Sequence, residues 1–220
     1  MTTFKDFLAE ELDESKLKHL EHAEDHVINA GHEGFSHAYH NLKDVHDRLT
    51  GKKNDTKITM KYDGSPSVVF GRHPQTGRFF VASKSAFNKN PKINYTLEDI
   101  ERNHGHAPGL VSKLKAALQH LPKVTPKKGV FQGDIMHTSE DVHESNGRVH
   151  FTPNTITYSA PKNSAHGKAA LNSKIGVAIH TKYNGKNLED MQAEHGAQLN
   201  DFGLHKDVHL ISTEHHLDNI

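Results

Sequence analysis

The stretch "KYDGSPSVVFG", residues 61–71, places a lysine two residues before an Asp-Gly corner, between two runs that read as strands. Lys61 and Asp63 are the residue types of a nucleophile and its orienting partner, and Gly64 leaves bare backbone beside them. A lysine amine attacks phosphorus only when deprotonated. Its reference pKa is about 10.4, so losing the proton at pH 7 costs roughly 4.6 kcal/mol unless the site lowers that value. Nearby cations, a bound divalent metal or desolvation all do so. Such a lysine therefore needs further cations to clamp a phosphate, a carboxylate to hold the metal, and a pocket for the nucleotide. Lys84 in "RFFVASKS", Asp134 in "FQGDIMH" and Lys182 in "GVAIHTKY" are candidates for these tasks. The competing reading of a lone K-x-D-G is a β-hairpin with an exposed lysine.

The elements that must carry these residues can be read from periodicity. "KITMKY" alternates Ile58, Met60 and Tyr62 with polar neighbours, which predicts a strand over 57–63. "DGSP" is turn chemistry, and "SVVFG" predicts the next strand over 67–72. A third, 78–84, follows the turn "HPQTG" and would end at Lys84. Thr96 with Asp99 three residues on marks a helix start, and Leu110, Leu114, Leu118 and Leu121 repeat at helical spacing up to Pro122. "GVFQGDIMHT", "RVHFTPNTITYSA", "KIGVAIHTKY" and "VHLIST" read as strands, and "NLEDMQAEHG" as a last helix. The exposed threonines of "FTPNTITYS" read as ordinary β-structure. The first fifty residues read as three helices, the second closed by Gly31 and the third by Gly51. Strands that follow one another without βαβ alternation predict an α+β fold with a mainly antiparallel sheet. The expected organisation is a helical segment, 1–51, packed outside a domain spanning 52–220.

Composition narrows the function classes. The 220 residues carry 27 basic and 27 acidic side chains, so no global basic field points to nucleic acid. Local patches such as "PKVTPKKG" and "SKSAFNKNPK" remain possible phosphate contacts. No apolar run approaches a membrane span, and the acidic, polar start is unlike a signal peptide. The absence of cysteine excludes disulfides and thiolate metal sites and is compatible with a cytoplasmic setting. Histidine is unusual at 21 residues. His19, His22 and His26 share a helical face at zinc-compatible spacing, but histidines are spread along the whole chain and no H-E-x-x-H occurs. A histidine-rich surface is the expected reading.

The order of motifs resembles the covalent nucleotidyltransferase superfamily of ATP-dependent DNA ligases, RNA ligases and mRNA-capping guanylyltransferases. A strand-borne K-x-D-G is followed by a basic residue, a hydrophobic-x-G-acid strand and a hydrophobic strand ending in lysine. "KYDGS" is most similar to the RNA-ligase form, in which serine follows the glycine. The resemblance covers roughly residues 57 to 183 and implies an adenylation fold that uses ATP with Mg²⁺ or Mn²⁺. It implies Lys61 as the nucleophile that forms a lysyl-nucleotide, with Asp63 orienting it and the metal. It further implies phosphate or nucleotide contacts from Gly64, Ser65, Lys84 and Lys182, and a metal carboxylate at Asp134. RNA or DNA ends would be the further partners.

The chain departs from the family pattern at several positions. Ile175 stands where a fourth-motif glutamate is expected, and the fifth-motif K-x-K survives only as His180-Thr181-Lys182. The arginine that often follows K-x-D-G is missing, leaving Arg72 or Arg78 as substitutes. No oligonucleotide-binding barrel fits after residue 183. The chain as a whole also resembles uncharacterised proteins of large tailed phages, for which the setting would be host cytoplasm. The alternative that follows from the departures is a non-catalytic nucleotide- or nucleic-acid-binding phage protein that keeps the fold.

Overall fold

The computed structural model describes residues 23–52, 59–87, 90–195, 197 and 199–214. The described residues fall into two units, one from the Met1–Met60 and Glu214–Ile220 segments and the other from Lys61–Thr213. In the first unit, helix α1 (Ala23–Leu49) is broken at Gly31, with φ 54° and ψ −123°. His26 and His37, one on each side of the break, meet edge to face at 4.7 Å. The first predicted helix, together with His19 and His22, lies outside the described residues.

The second unit is a mixed α+β structure with mostly antiparallel sheets. Strands β1 (Ser67–Arg72) and β2 (Phe79–Ala82) form the predicted hairpin. Helix α2 (Leu97–His104) starts at the Thr96–Asp99 capping box, in which each side chain accepts the other residue's backbone N–H. Helix α3 (Pro108–His120) buries Val111, Leu114 and Ala117 at a spacing of three. Strand β3 (Val130–Thr138) precedes a small sheet of β4 (His143–Ser145), β5 (Arg148–Phe151) and β6 (Tyr158–Pro161). Helix α4 (Ala165–Asn172), β7 (Ile175–Asn184), β8 (Gln192–His195) and β9 (Val208–Ile211) complete the unit.

The main sheet has six strands in the order β2-β1-β3-β7-β8, and β9 runs parallel to the first half of β7. Residues directly opposite across an antiparallel pair share a face, so the register sorts the side chains. Phe131, Ile135, Val68, Phe70, Val81, Val177 and Ile179 join residues of α2 and α3 in the largest core cluster. On the other face Val130, Val69, Ala82 and Tyr183 anchor a second cluster, and Met136, Ala178 and Ile211 a third, under β5, β6 and α4. Along β3, Gln132 and Asp134 lie on this second face between Val130 and Met136. A polar strip thus separates the two smaller clusters.

Several expectations are corrected. Lys61 does not sit on a strand: residues 60–64 form no regular element, and Thr59 makes an isolated bridge to Glu214. Lys84 is not the last residue of a strand either, since it opens a short 3₁₀ turn, Lys84–Phe87, after β2 ends at Ala82. "RVHFTPNTITYSA" is two strands with an irregular connection over 152–157. "NLEDMQAEHG" is no helix. Leu188 and Met191, three apart, are both buried in the second cluster, but a turn produces that spacing. Asp190 N–H donates to the Asn187 carbonyl at 3.2 Å, and the segment then pairs with β7 as β8. Tertiary packing overrides the local pattern there. Among the described residues, no helix is long and apolar enough to cross a membrane.

Candidate active site

The K-x-D-G segment is held by two parts of the second unit that are far apart in sequence. Asp63 turns to the β5–β6 connection. Its Oδ1 accepts from Asn154 Nδ2 at 3.0 Å, and its Oδ2 accepts from Thr155 Oγ1 at 2.9 Å and Thr155 N at 3.3 Å. The Asp63 N–H donates to the Tyr158 hydroxyl at 2.8 Å. The Asn154 and Thr155 hydrogen bonds hold the Asp63 carboxyl below its ordinary range. Tyr62 packs beside this clamp, its ring 5.6 Å from that of Tyr158; burial, then the neighbouring Tyr158, raises its phenol above the usual value. Asp63 is an ionised strut whose acceptor sites are taken up by the hairpin.

Gly64 then brings the chain against β3. A Cβ at this position would lie 2.4 Å from the Cβ of Asp134 and 2.9 Å from the sulfur of Met136. No side chain fits there. Gly64 is thus required by its contact with Asp134. Ser65 continues the docking: its N–H donates to the Ile135 carbonyl and Ile135 N–H donates to the Pro66 carbonyl, both at 3.0 Å. Lys113, on α3, donates to the Ser65 carbonyl at 2.9 Å and stands 4.0 Å from Asp141. Lys61 is exposed, and three residues of extended chain limit its Cα to about 11 Å from that of Gly64.

Asp134 stands between Ser67 on β1 and Ala178 on β7. Beyond Ala178 the register shifts: Ile179 pairs with Gly133, and Thr181 with Gln132, so His180 is the extra residue of a bulge. The bulge brings His180 Nε2 to 3.7 Å from Asp134 Oδ1, while His180 Nδ1 lies 2.7 Å from Thr181 Oγ1. The floor beside them is a fixed polar network. Gln132 Nε2 donates to Ser67 Oγ at 2.9 Å, and Gln132 Oε1 accepts from the Tyr183 hydroxyl. Burial pushes that phenol up to about 12.

Of the residues expected in the site, Asp63, Gly64, Ser65 and Asp134 are brought together through the docked loop. Lys182 is not. It pairs with Phe131 and Glu194, on the face that carries the large core, whereas Asp134 faces the opposite side. The bulge reverses the expected alternation and leaves His180 beside Asp134. The side chain of Lys84 lies outside the described residues. Asn154, Thr155, Tyr158, Lys113 and His180 were not singled out from sequence as site residues. Only His180 carried a signal, its place in the His180-Thr181-Lys182 run that resembles a family motif. Among the described residues, no three His, Asp or Glu side chains converge as a metal-binding group.

The chain matches a family of unknown function (DUF6267) over residues 17–219, and it belongs to that family. No curated protein and no solved structure matches it.

Proposed function

We propose that this DUF6267 member is a lysine nucleotidyltransferase of the RNA- or DNA-ligase type, or the adenylation part of one, with Lys61 as its nucleophile. The observation that carries the reading is the docking of Gly64 onto Asp134. Two motifs 70 residues apart meet at one place on an antiparallel sheet, with a lysine three residues upstream and a polar floor beneath. In the proposed step the deprotonated Lys61 amine attacks the α-phosphorus of ATP. A P–N bond forms, the bond from Pα to the bridging oxygen breaks, and pyrophosphate leaves with that electron pair. The amine proton passes to solvent. A divalent ion would offset the charge developing on the phosphates. Asp134 fits the task of holding it, since among the described residues no side chain donates a hydrogen bond to this carboxylate. Asp63 acts on position, fixing the loop that bears Lys61, and Ser67 and Gln132 shape the floor.

A second reading, a nucleotide- or nucleic-acid-binding protein that no longer transfers, is favoured by one observation. Ile175, at the position of the fourth-motif glutamate, is fully buried in the main core. The deciding experiment incubates the purified chain with labelled ATP or GTP and Mg²⁺ or Mn²⁺ and follows mass and acid-labile label. Wild type should gain one nucleotide, and Lys61→Ala none. Lys61→Arg should also fail, because guanidinium stays protonated. Label that persists in Lys61→Ala would place the chemistry elsewhere. A folded wild type that binds nucleotide without labelling would establish the second reading.

A further inference from the structure

We propose that Asp134 and His180 are the two protein ligands of an open seat for a first-row transition-metal dication, Mn²⁺ or a later ion, in preference to Mg²⁺. His180 follows Ala178, the partner of Asp134, by two residues on the same face, and as the extra residue of the bulge it stands beside the carboxylate. The 3.7 Å between Nε2 and Oδ1 is too long for a hydrogen bond. An ion about 2.1 Å from each atom would subtend roughly 120° there, an open angle for two ligands. Thr181 Oγ1 lies 2.7 Å from the other ring nitrogen. When Nδ1–H donates to it, the ring is oriented and the Nε2 lone pair is left facing an anionic oxygen. A second hydrogen-bond partner of this kind is what ligating histidines carry, and two acceptors that face each other call for a cation between them.

The surroundings fit an open seat. The side chains of Asp134 and His180 are 20% and 28% exposed, which leaves an entry path. Gly64 covers Asp134 on one flank without adding a side chain. With no third His, Asp or Glu among the described residues, the remaining positions belong to water or to phosphate oxygens. The imidazole sets the preference. Mg²⁺ favours an octahedral oxygen shell and keeps its water, whereas nitrogen ligands favour transition-metal ions. The assignment rests on the nucleotidyl-transfer reading for its phosphate ligands, but the seat can be measured without nucleotide.

The test is a Mn²⁺ titration of the full chain, followed by paramagnetic broadening of histidine ring signals in ¹H–¹⁵N spectra. The His180 signal should broaden at the lowest Mn²⁺, and Asp134→Asn should raise the concentration needed at least tenfold while the other histidines respond as before. Mn²⁺ relaxivity should report a similar loss in His180→Gln, and a tenfold excess of Mg²⁺ should leave the wild-type signal broadened. Lys61→Ala should bind Mn²⁺ like wild type, so a failed nucleotide reading and a failed seat are distinguishable. His180 broadening no earlier than that of the other histidines, unchanged broadening in Asp134→Asn, or equal displacement by Mg²⁺ would overturn the proposal.

Discussion

Thr155 Oγ1 donates to Asp63 Oδ2 at 2.9 Å across 92 residues of sequence. The acid of the K-x-D-G corner is thus satisfied by a hairpin connection, and the lysine two residues before it is positioned from there. Thr155→Val combined with Asn154→Ala should leave the chain folded but slow adduct formation at Lys61 by about 10- to 100-fold, the scale of a misplaced reacting group. Thr155→Ser alone should keep the wild-type rate, because the hydroxyl donor is retained. A rate unchanged in the double variant would show that the clamp is incidental to the lysine.

Gly64→Ala should be among the more damaging single changes in the loop. Its Cβ would fall 2.4 Å from that of Asp134, and relieving this means moving either β3 or the loop. The expected cost is about 1–3 kcal/mol, the usual range for overpacking, read from the denaturant midpoint. Adduct formation should fall along with it.

Lys113 holds the Ser65 carbonyl from α3, and its side chain is 20% exposed. Lys113→Met keeps the length of the side chain and removes the charged donor. The loss should be about 1.5 kcal/mol or somewhat more, since hydrogen bonds to charged groups lie at the upper end of their range. Equilibrium unfolding measures it, and an unchanged midpoint would refute the tether.

Acid stability should depend on a chain of imidazoles. His137 Nε2 lies 3.1 Å from His209 Nδ1, and His209 Nε2 lies 3.2 Å from His166 Nδ1. The His137 ring occupies space that any Cβ on Gly176 would enter. Burial holds His137 down to about 4, against the opposing charge of Asp141. Burial, then the neighbouring His137 and His166, holds His209 down to about 3. Both values lie below the unfolded value of about 6.5, so the unfolded chain binds protons first as pH falls. The contribution is fully present above about pH 6.5 and is lost progressively as pH falls toward 4 and 3. At about 1.4 kcal/mol per unit, the shift of His137 is worth on the order of 3 kcal/mol and that of His209 somewhat more. In unfolding curves taken at several pH values, His209→Gln should flatten the decline between pH 6.5 and 4; an unaltered slope would contradict this.

Where local chemistry decides structure, the sequence was legible. The Thr96–Asp99 box, the "HPQTG" hairpin and the strands β1 and β3 all stand where their residues place them. Legibility failed where long-range packing decides. The Leu188–Met191 spacing imitates a helix because a turn and a strand bury both residues in one cluster. Asn154 and Thr155 read as part of an ordinary strand, since nothing local reveals that an aspartate about 92 residues earlier needs their donors. His180 stays on the face of Asp134, but one bulged residue turns Lys182 to the other face, which no period-2 reading contains.

The clamp on Asp63 also bears on how the protein comes into being. A chain emerging from the ribosome displays the lysine motif long before Asn154, Thr155 and Tyr158 exist to receive it, and loop closure over that span is slow compared with local helix formation. A nascent chain stalled before the β5–β6 hairpin would carry Lys61 without the contacts that place it. If Lys61 acts as proposed, it should therefore be competent only late in synthesis, which would keep a half-made chain from reacting with triphosphates.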